Sequence, residues 1–144
     1  MSLKEQTREK LKMAMQREIA MMREILANMQ KEELSLARQD KQLWNQILQE
    51  RSQMMESLVL FRKERMVAAE ELKNDTEILE DLSWMRDQMT ALIEKLNVQN
   101  SRNQNLYSQS FEGRPQGNVT LCPQMAPEPQ KKKGGIVATY PKRD

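Results

Sequence analysis

The chain has 144 residues and a net charge of +2, with 31% charged and only 4% aromatic residues, so neither a thick globular core nor a nucleic-acid partner is expected. It has no His and one Cys, Cys122, which excludes a Ser-His or Cys-His nucleophile pair and a zinc site built from several such ligands. We therefore expect one non-enzymatic domain without a cofactor or metal, made of helices that pack along narrow apolar stripes.

Apolar residues follow helical spacing from residue 11 onward. The first stripe advances by alternating steps of four and three residues, and its members are Met15, Ile19, Met22, Leu26 and Met29. The stripe weakens over residues 31–40, where Glu33 and Asp40 occupy stripe positions. This segment is either a turn between two helices or a solvated part of one long helix.

The stripe resumes in a second segment, with Leu43, Ile47, Met54, Leu58, Phe61, Ala68 and Leu72. The apolar run 58–61 cannot face one partner helix with all four side chains. It favours a place where a third helix packs, and the alternative is that one side is exposed for binding. Trp44 and Trp84 are expected to lie at helix contacts, because a large ring on a sparse stripe buries much area.

A break is predicted at residues 73–76, where Asn74 and Glu77 resemble a capping box. A third stripe follows, with Ile78, Leu82, Met85, Met89, Leu92 and Leu96. A helix from residue 77 would bury this stripe by folding back against the preceding segment. We therefore predict an all-α fold, an antiparallel helical bundle or hairpin of about three long helices, over residues 1–110.

The third stripe continues through Asn100 and Asn103 before it becomes apolar again at Tyr107. We predict a helix to about residue 108 whose last two turns are weakly held, because Asn in a stripe reduces packing. Every Gly and Pro in the chain lies within residues 111–144, which carry six Lys or Arg and three Asp or Glu. This segment is predicted to be a disordered basic tail.

Twelve Met residues are a further feature, because an unbranched thioether repacks against varied surfaces. In each of the adjacent pairs Met21-Met22 and Met54-Met55, one Met lies off the main stripe. Gap filling in a thin core is one interpretation, but it does not easily explain Met21 and Met55. The alternative is an adaptable face for a partner helix. The residues predicted to form this face are Met21, Met22, Met54, Met55, Met85, Met89, Leu92 and Leu96.

Residues 31–65, KEELSLARQDKQLWNQILQERSQMMESLVLFRKER, resemble the FlgN family of flagellar and type III export chaperones. The resemblance lies in an acidic, Leu-containing segment, an Asp, and an apolar-spaced run that ends in Arg. The positions that carry it are Leu34, Asp40, Leu43, Ile47, Arg51, Met54, Met55, Leu58 and Arg65, with Leu92, Leu96, Asn97 and Asn100 in the late helix. The chain departs from the family pattern after Tyr107, where Ser108 replaces the Gly of an "LYG" box.

The resemblance implies a bacterial, cytoplasmic protein-binding chaperone, monomeric or dimeric and without membrane insertion. Such a chaperone holds amphipathic helices of secreted filament-junction subunits and delivers them to an export gate. A Tyr in the C-terminal region of the family is associated with gate docking; Tyr107 is the best match and Tyr140 a weaker one. Two alternatives stay open, a coiled-coil stalk subunit of a secretion ATPase of the FliJ/YscO type and a generic homo-oligomeric coiled-coil scaffold.

Overall fold

The computed structural model describes residues 2–110, which form four α-helices. They are α1 (Leu3–Ala37), α2 (Lys41–Glu71), α3 (Thr76–Asp81) and α4 (Ser83–Gln109). No strand occurs among these residues, so the predicted all-α helical bundle is confirmed. The predicted basic tail lies outside the described residues.

Helices α1 and α2 form an antiparallel hairpin. Near its open end, Thr7 Oγ1 donates a hydrogen bond to Glu71 Oε2 (3.2 Å). Toward the connecting turn, Asn28 Nδ2 donates to the carbonyl oxygen of Ile47 (3.0 Å). The start of α1 thus contacts the end of α2, and the later part of α1 contacts the early part of α2, so α2 runs back along the length of α1.

Helix α4 runs parallel to α1. At the open end of the hairpin, a charged nitrogen of Arg8 in α1 lies 3.9 Å from a carboxylate oxygen of Asp81, the last residue of α3, two residues before α4 begins. At the other end, Ser110 Oγ donates to the carbonyl oxygen of Leu36 in the last turn of α1 (3.0 Å). The long helices therefore run up, down and up, and α1 is the helix that packs against both α2 and α4.

A turn over residues 38–40 separates α1 from α2, which decides between the two interpretations of the weak segment 31–40. Gln39 has a left-handed backbone with a φ of 54°, which is uncommon for a residue with a Cβ. Asp40 then caps α2, because its side chain accepts a hydrogen bond from the Leu43 backbone N–H (3.0 Å). The chain thus reverses direction within three residues.

The predicted break before the last long helix is present, but its cap is one residue later than expected. The side chain of Asp75, and not that of Asn74, accepts a hydrogen bond from the Ile78 backbone N–H (3.1 Å). A carboxylate suits the positive end of a helix, and Asp75 also forms an ion pair with Lys4 of α1. A further interruption at Leu82 divides the predicted single helix into α3 and α4.

Two buried ion pairs join α1 to α2. Glu18 pairs with Arg65, and Glu32 pairs with Arg51 through an Oε1–Nη2 contact of 2.6 Å. Both Glu residues are 0% exposed. The two Glu are 14 residues apart on α1 and the two Arg are 14 residues apart on α2, so both pairs follow one heptad register.

Apolar layers alternate with these ion pairs. Midway between them, Ile25 of α1 and Leu58 of α2 are fully buried in the same core cluster. Seven residues beyond the Glu18–Arg65 pair, toward the open end of the hairpin, Leu11 and Leu72 belong to that cluster too. Helix α4 and the residue before it contribute buried side chains at the same seven-residue spacing, which are Leu82, Met89, Leu96 and Asn103.

Two expectations about large apolar residues are only half right. Trp44 is 1% exposed and lies at a helix contact as predicted, whereas Trp84 is 54% exposed because its neighbour Met85 occupies the buried position. The apolar run 58–61 is divided in the same way. Leu58 is in the core and Leu60 is 59% exposed, so this run both contributes to the core and presents an outer apolar surface.

Replacement of Arg51 tests the importance of the buried pairs. Arg51→Met leaves the Glu32 carboxylate buried without its cation, which should lower the free energy of unfolding by about 3–5 kcal/mol. Arg17→Met is the matched control, since Arg17 and its partner Glu64 are 50% and 54% exposed, and an exposed pair contributes about 0–1 kcal/mol. Urea unfolding followed by circular dichroism measures both variants. Equal losses would contradict a special role for the buried pairs.

Acid should weaken the contact between α3 and the start of α1. The hydrogen bond from Lys4 and that from the Ile78 backbone hold the pKa of Asp75 below its ordinary value of 3.8. A lowered pKa stabilises the folded chain above that value, and this contribution is lost as the pH falls through the folded-state pKa. Asp75→Asn should therefore be less stable than the native chain at neutral pH and equally stable in strong acid. Thermal unfolding across the acidic range checks this, and a pH-independent difference would count against it.

Candidate helix-binding groove

The structure places the eight residues predicted to bind a partner helix in or against the core. The buried ones are Met22, Met85, Met89, Leu92 and Leu96. Met21, Met54 and Met55 are partly buried against the same cluster. The off-stripe positions 21 and 55 are used because α1 and α2 pack in a core of three helices and not only against each other. A partner helix would reach this face only if the bundle opened, and its role in binding stays a prediction.

Tyr107 lies in the core near the end of α4. Its side chain is 5% exposed, and its ring stacks on Trp44 with a centroid separation of 5.2 Å and an interplanar angle of 24°. This position supports the interpretation of Tyr107 as the last residue of the stripe. Docking of Tyr107 to an export gate stays a prediction, and it would require the last turns of α4 to detach. Tyr140 lies outside the described residues.

A buried polar cluster surrounds Glu32. Trp44 Nε1 donates to Glu32 Oε2 (3.0 Å), and Arg51 Nη2 donates to Glu32 Oε1 (2.6 Å). Asn103 Nδ2 donates to Glu32 Oε1 (2.7 Å) and to the carbonyl oxygen of Met29 (2.8 Å). The expectation that Asn loosens the end of α4 is therefore wrong for Asn103, which is 0% exposed and joined to α1 through both hydrogen bonds.

An open groove of about 620 Å³ lies between α1 and α2. This α1/α2 groove is lined by Lys10, Met13, Arg17, Lys63, Glu64, Val67, Ala68 and Glu71, and no residue of α4 takes part. Met13 and Val67 are 47% and 63% exposed. Leu60, one heptad before Val67 on the same side of α2, is 59% exposed and extends the apolar surface. The bundle thus keeps an apolar strip outside its core.

The rim of the groove carries an excess of positive charge. Arg17 Nη1 lies 3.5 Å from Glu64 Oε2, so these two charges neutralise each other. Glu71 accepts a hydrogen bond from Thr7 and keeps its negative charge, so the lining has three cations against two carboxylates, a net charge of +1. Lys10 and Lys63 form no ion pair within residues 2–110. A ligand in the groove would therefore meet an apolar floor, with the ammonium groups of Lys10 and Lys63 and the carboxylate of Glu71 beside it.

Sequence reasoning missed the charged residues of the core and the groove. Arg51 and Arg65 stand out in the sequence only as positions that match the FlgN family. A signal was nevertheless present, because two Glu and two Arg repeat at 14-residue spacing in phase with the apolar stripes. Val67 gave no comparable signal, since single exposed apolar residues are common on protein surfaces.

The chain matches no protein-family model, no curated protein and no solved structure. Among the helices of residues 2–110, none is both long enough and apolar enough to cross a membrane. The same residues contain no group of three or more His, Cys, Asp or Glu placed to hold a metal ion.

Truncation of Tyr107 separates a core role from a purely surface role. Tyr107→Ala should lower the free energy of unfolding by about 3 kcal/mol or more, because it leaves a cavity beside Trp44. Val98→Ala is the control, since Val98 on α4 is 61% exposed. Urea unfolding followed by Trp44 fluorescence, in a Trp84→Phe background, measures both. A Tyr107→Ala chain as stable as the native one would show that this ring is not part of the core in solution.

Proposed function

We propose that this protein is a cytosolic export chaperone that binds an amphipathic helix of a secreted subunit and delivers the subunit to a flagellar or type III export gate. The observation that carries the proposal is the α1/α2 groove, in which an exposed apolar strip lies beside unneutralised Lys10 and Lys63. The resemblance of residues 31–65 to the FlgN family supports the same function. Binding at this groove requires no opening of the core.

The shape of the groove suits a helix. It lies between two antiparallel helices, on a side where α4 contributes no lining residue. A helix laid along it would complete a fourth position of the bundle and would bury the exposed parts of Met13, Leu60 and Val67. The ligand would need apolar residues at helical spacing, which is the pattern of an amphipathic segment that must be shielded before assembly.

The charge of the groove further limits which helices are expected to bind. Lys10 and Lys63 would attract acidic residues on the flanks of the bound helix, and this attraction would raise the rate of association at low salt. Because the lysines are at a solvent-accessible rim, salt would screen the attraction and favour release. The preferred ligand is therefore an amphipathic helix with acidic flanks.

The turn at residues 38–40 favours the chaperone over the stalk of a secretion ATPase. We expect a stalk of this type to have a continuous helix through this segment, whereas α1 and α2 are separate helices. The apolar stripes are also buried in a core that forms within one chain. This closure leaves little stripe for the generic homo-oligomeric scaffold, which would have to bury its stripes between chains.

A charge placed in the apolar strip should abolish recognition. Val67→Asp is expected to weaken binding about tenfold or more, because it would bury a carboxylate against the apolar face of the ligand. Val98→Asp is the matched control, since Val98 has a similar exposure of 61% but lies on α4, outside the groove. Fluorescence anisotropy with labelled C-terminal helices of secreted filament-junction subunits as probes measures both variants.

Binding by the two variants, together with the effect of deleting the gene on export, tests the proposal. Equal weakening by Val98→Asp, or no weakening by Val67→Asp, would place the binding surface elsewhere. If the native chain captures no secreted subunit and deletion of its gene leaves export unchanged, the chaperone function is wrong. Capture of a secretion ATPase in place of a subunit would support the stalk.

A further inference from the structure

Helix α1 is joined to the rest of the bundle by only three residues, although it makes most of the contacts. It packs against both α2 and α4. Both buried Glu–Arg layers combine a Glu of α1 with an Arg of α2, and Asn103 of α4 also binds α1. If α1 were removed as a unit, the surface left by α2 and α4 would be complementary to one helix sequence, that of α1.

The connection itself is strained. Gln39 has a φ of 54°, a left-handed conformation that costs a residue with a Cβ about fivefold or more in population. Arg38 is already close to helical, with φ −87° and ψ −6°. Opening of the turn would therefore relieve Gln39 while changing few other backbone angles. Short connections under strain are the usual hinges of segment exchange between identical chains.

We propose that α1 exchanges between two copies of this chain through opening of the turn at residues 38–40. In the exchanged dimer, α1 of each copy packs against α2 and α4 of the other copy. Every layer of the core is preserved, because the same residues meet in trans. The dimer therefore differs from the monomer mainly in its two hinges and in the entropy of association, and it becomes populated as the protein concentration rises.

The register explains why the partner is a second copy and not another helix. The buried guanidinium groups of Arg51 and Arg65 each need a carboxylate on the helix that replaces α1. An apolar helix would leave both cations buried without a counter-charge. A second α1 supplies Glu18 and Glu32 at the required 14-residue spacing. This proposal is independent of the proposed export function, since the α1/α2 groove is re-formed in the exchanged dimer.

Two complementary charge variants test the exchange. Glu18→Arg and Arg65→Glu each bring like charges together in one buried layer, so each chain alone should be less stable than the native chain. In an exchanged heterodimer, α1 of one variant faces α2 of the other, and every layer again combines an acidic with a basic residue. An equimolar mixture should therefore form a heterodimer that unfolds at a higher urea concentration than either variant alone. Sedimentation and circular dichroism measure its mass and stability.

The double variant Glu18→Arg/Arg65→Glu is the control, because it reverses this pair within one chain and needs no partner. Arg62, whose Nε lies 3.8 Å from Glu18 Oε2 in the native chain, faces residue 18 in the double variant and in the exchanged heterodimer alike. If the double variant folds and the mixture of single variants yields no heterodimer, the proposal is overturned. A rescued heterodimer supports it. If the reversed pair is not tolerated even in the double variant, the cross-linking experiment below decides.

The cross-linking experiment uses exposed positions and leaves the buried pairs intact. Arg17 and Glu64 face each other across the hairpin, with 3.5 Å between their charged groups, and both are about half exposed. In a Cys122→Ser background, Arg17→Cys/Glu64→Cys can be joined by a short bismaleimide. After refolding at increasing protein concentration, a rising share of chains should be linked in covalent dimers. Linkage only within single chains at every concentration overturns the proposal, and Arg17→Cys alone shows the background of unspecific dimers.

The strain at Gln39 gives a second, quantitative result. Gln39→Gly removes the penalty of the left-handed conformation in the monomer and should lower the association constant of the dimer about 25-fold, since two hinges contribute about fivefold each. Gln42→Gly, in the first turn of α2, is the matched control and should not lower it to this extent. Equal dimer populations in both variants would contradict the role of the hinge.

Discussion

The buried carboxylate of Glu32 is the constraint on which the arrangement of the three long helices depends. A charge removed from water costs on the order of several kcal/mol unless it is paired and hydrogen-bonded. Its two oxygens accept hydrogen bonds from Arg51 and Trp44 of α2 and from Asn103 of α4. Because these donors come from two different helices, one acidic residue of α1 fixes the positions of both α2 and α4 along the axis of α1. The stacking of Tyr107 on Trp44 then completes this end of the bundle.

The second buried pair, Glu18 with Arg65, turns this local constraint into a register for the whole hairpin. A shift of α2 by one heptad would place both Glu and both Arg opposite residues of like or no charge, such as Leu58, and leave them unpaired in the core. Apolar layers supply most of the burial, whereas the ion pairs exclude alternative alignments at a cost in stability. In the proposed exchange, the same charge pattern would direct α1 to α2 and α4 of a second copy.

The apolar surface that stays exposed depends on which apolar side chains are buried in the core. The Met residues of the stripes pack against one another among three helices, so an adaptable Met face is not presented to solvent. One exposed apolar strip lies along the α1/α2 groove, where Leu60 and Val67 of α2 are beside the rim lysines Lys10 and Lys63. The proposed helical ligand would lie along this exposed surface, whereas the proposed exchange of α1 would re-form the buried layers between α1, α2 and α4.

The sequence by itself determined the helical class, the break near residues 73–76 and the end of the last helix, because periodicity and turn chemistry act over a few residues. It left open whether residues 31–40 contain a turn, and the structure places that turn at residues 38–40. Only the tertiary structure decided which polar residues are buried. Glu32 and Asn103 are 71 positions apart, and neither reveals its partner through its neighbours in the chain. The same holds for Tyr107, for the cap at Asp75, and for the α1/α2 groove, since burial and exposure depend on which helices meet in space.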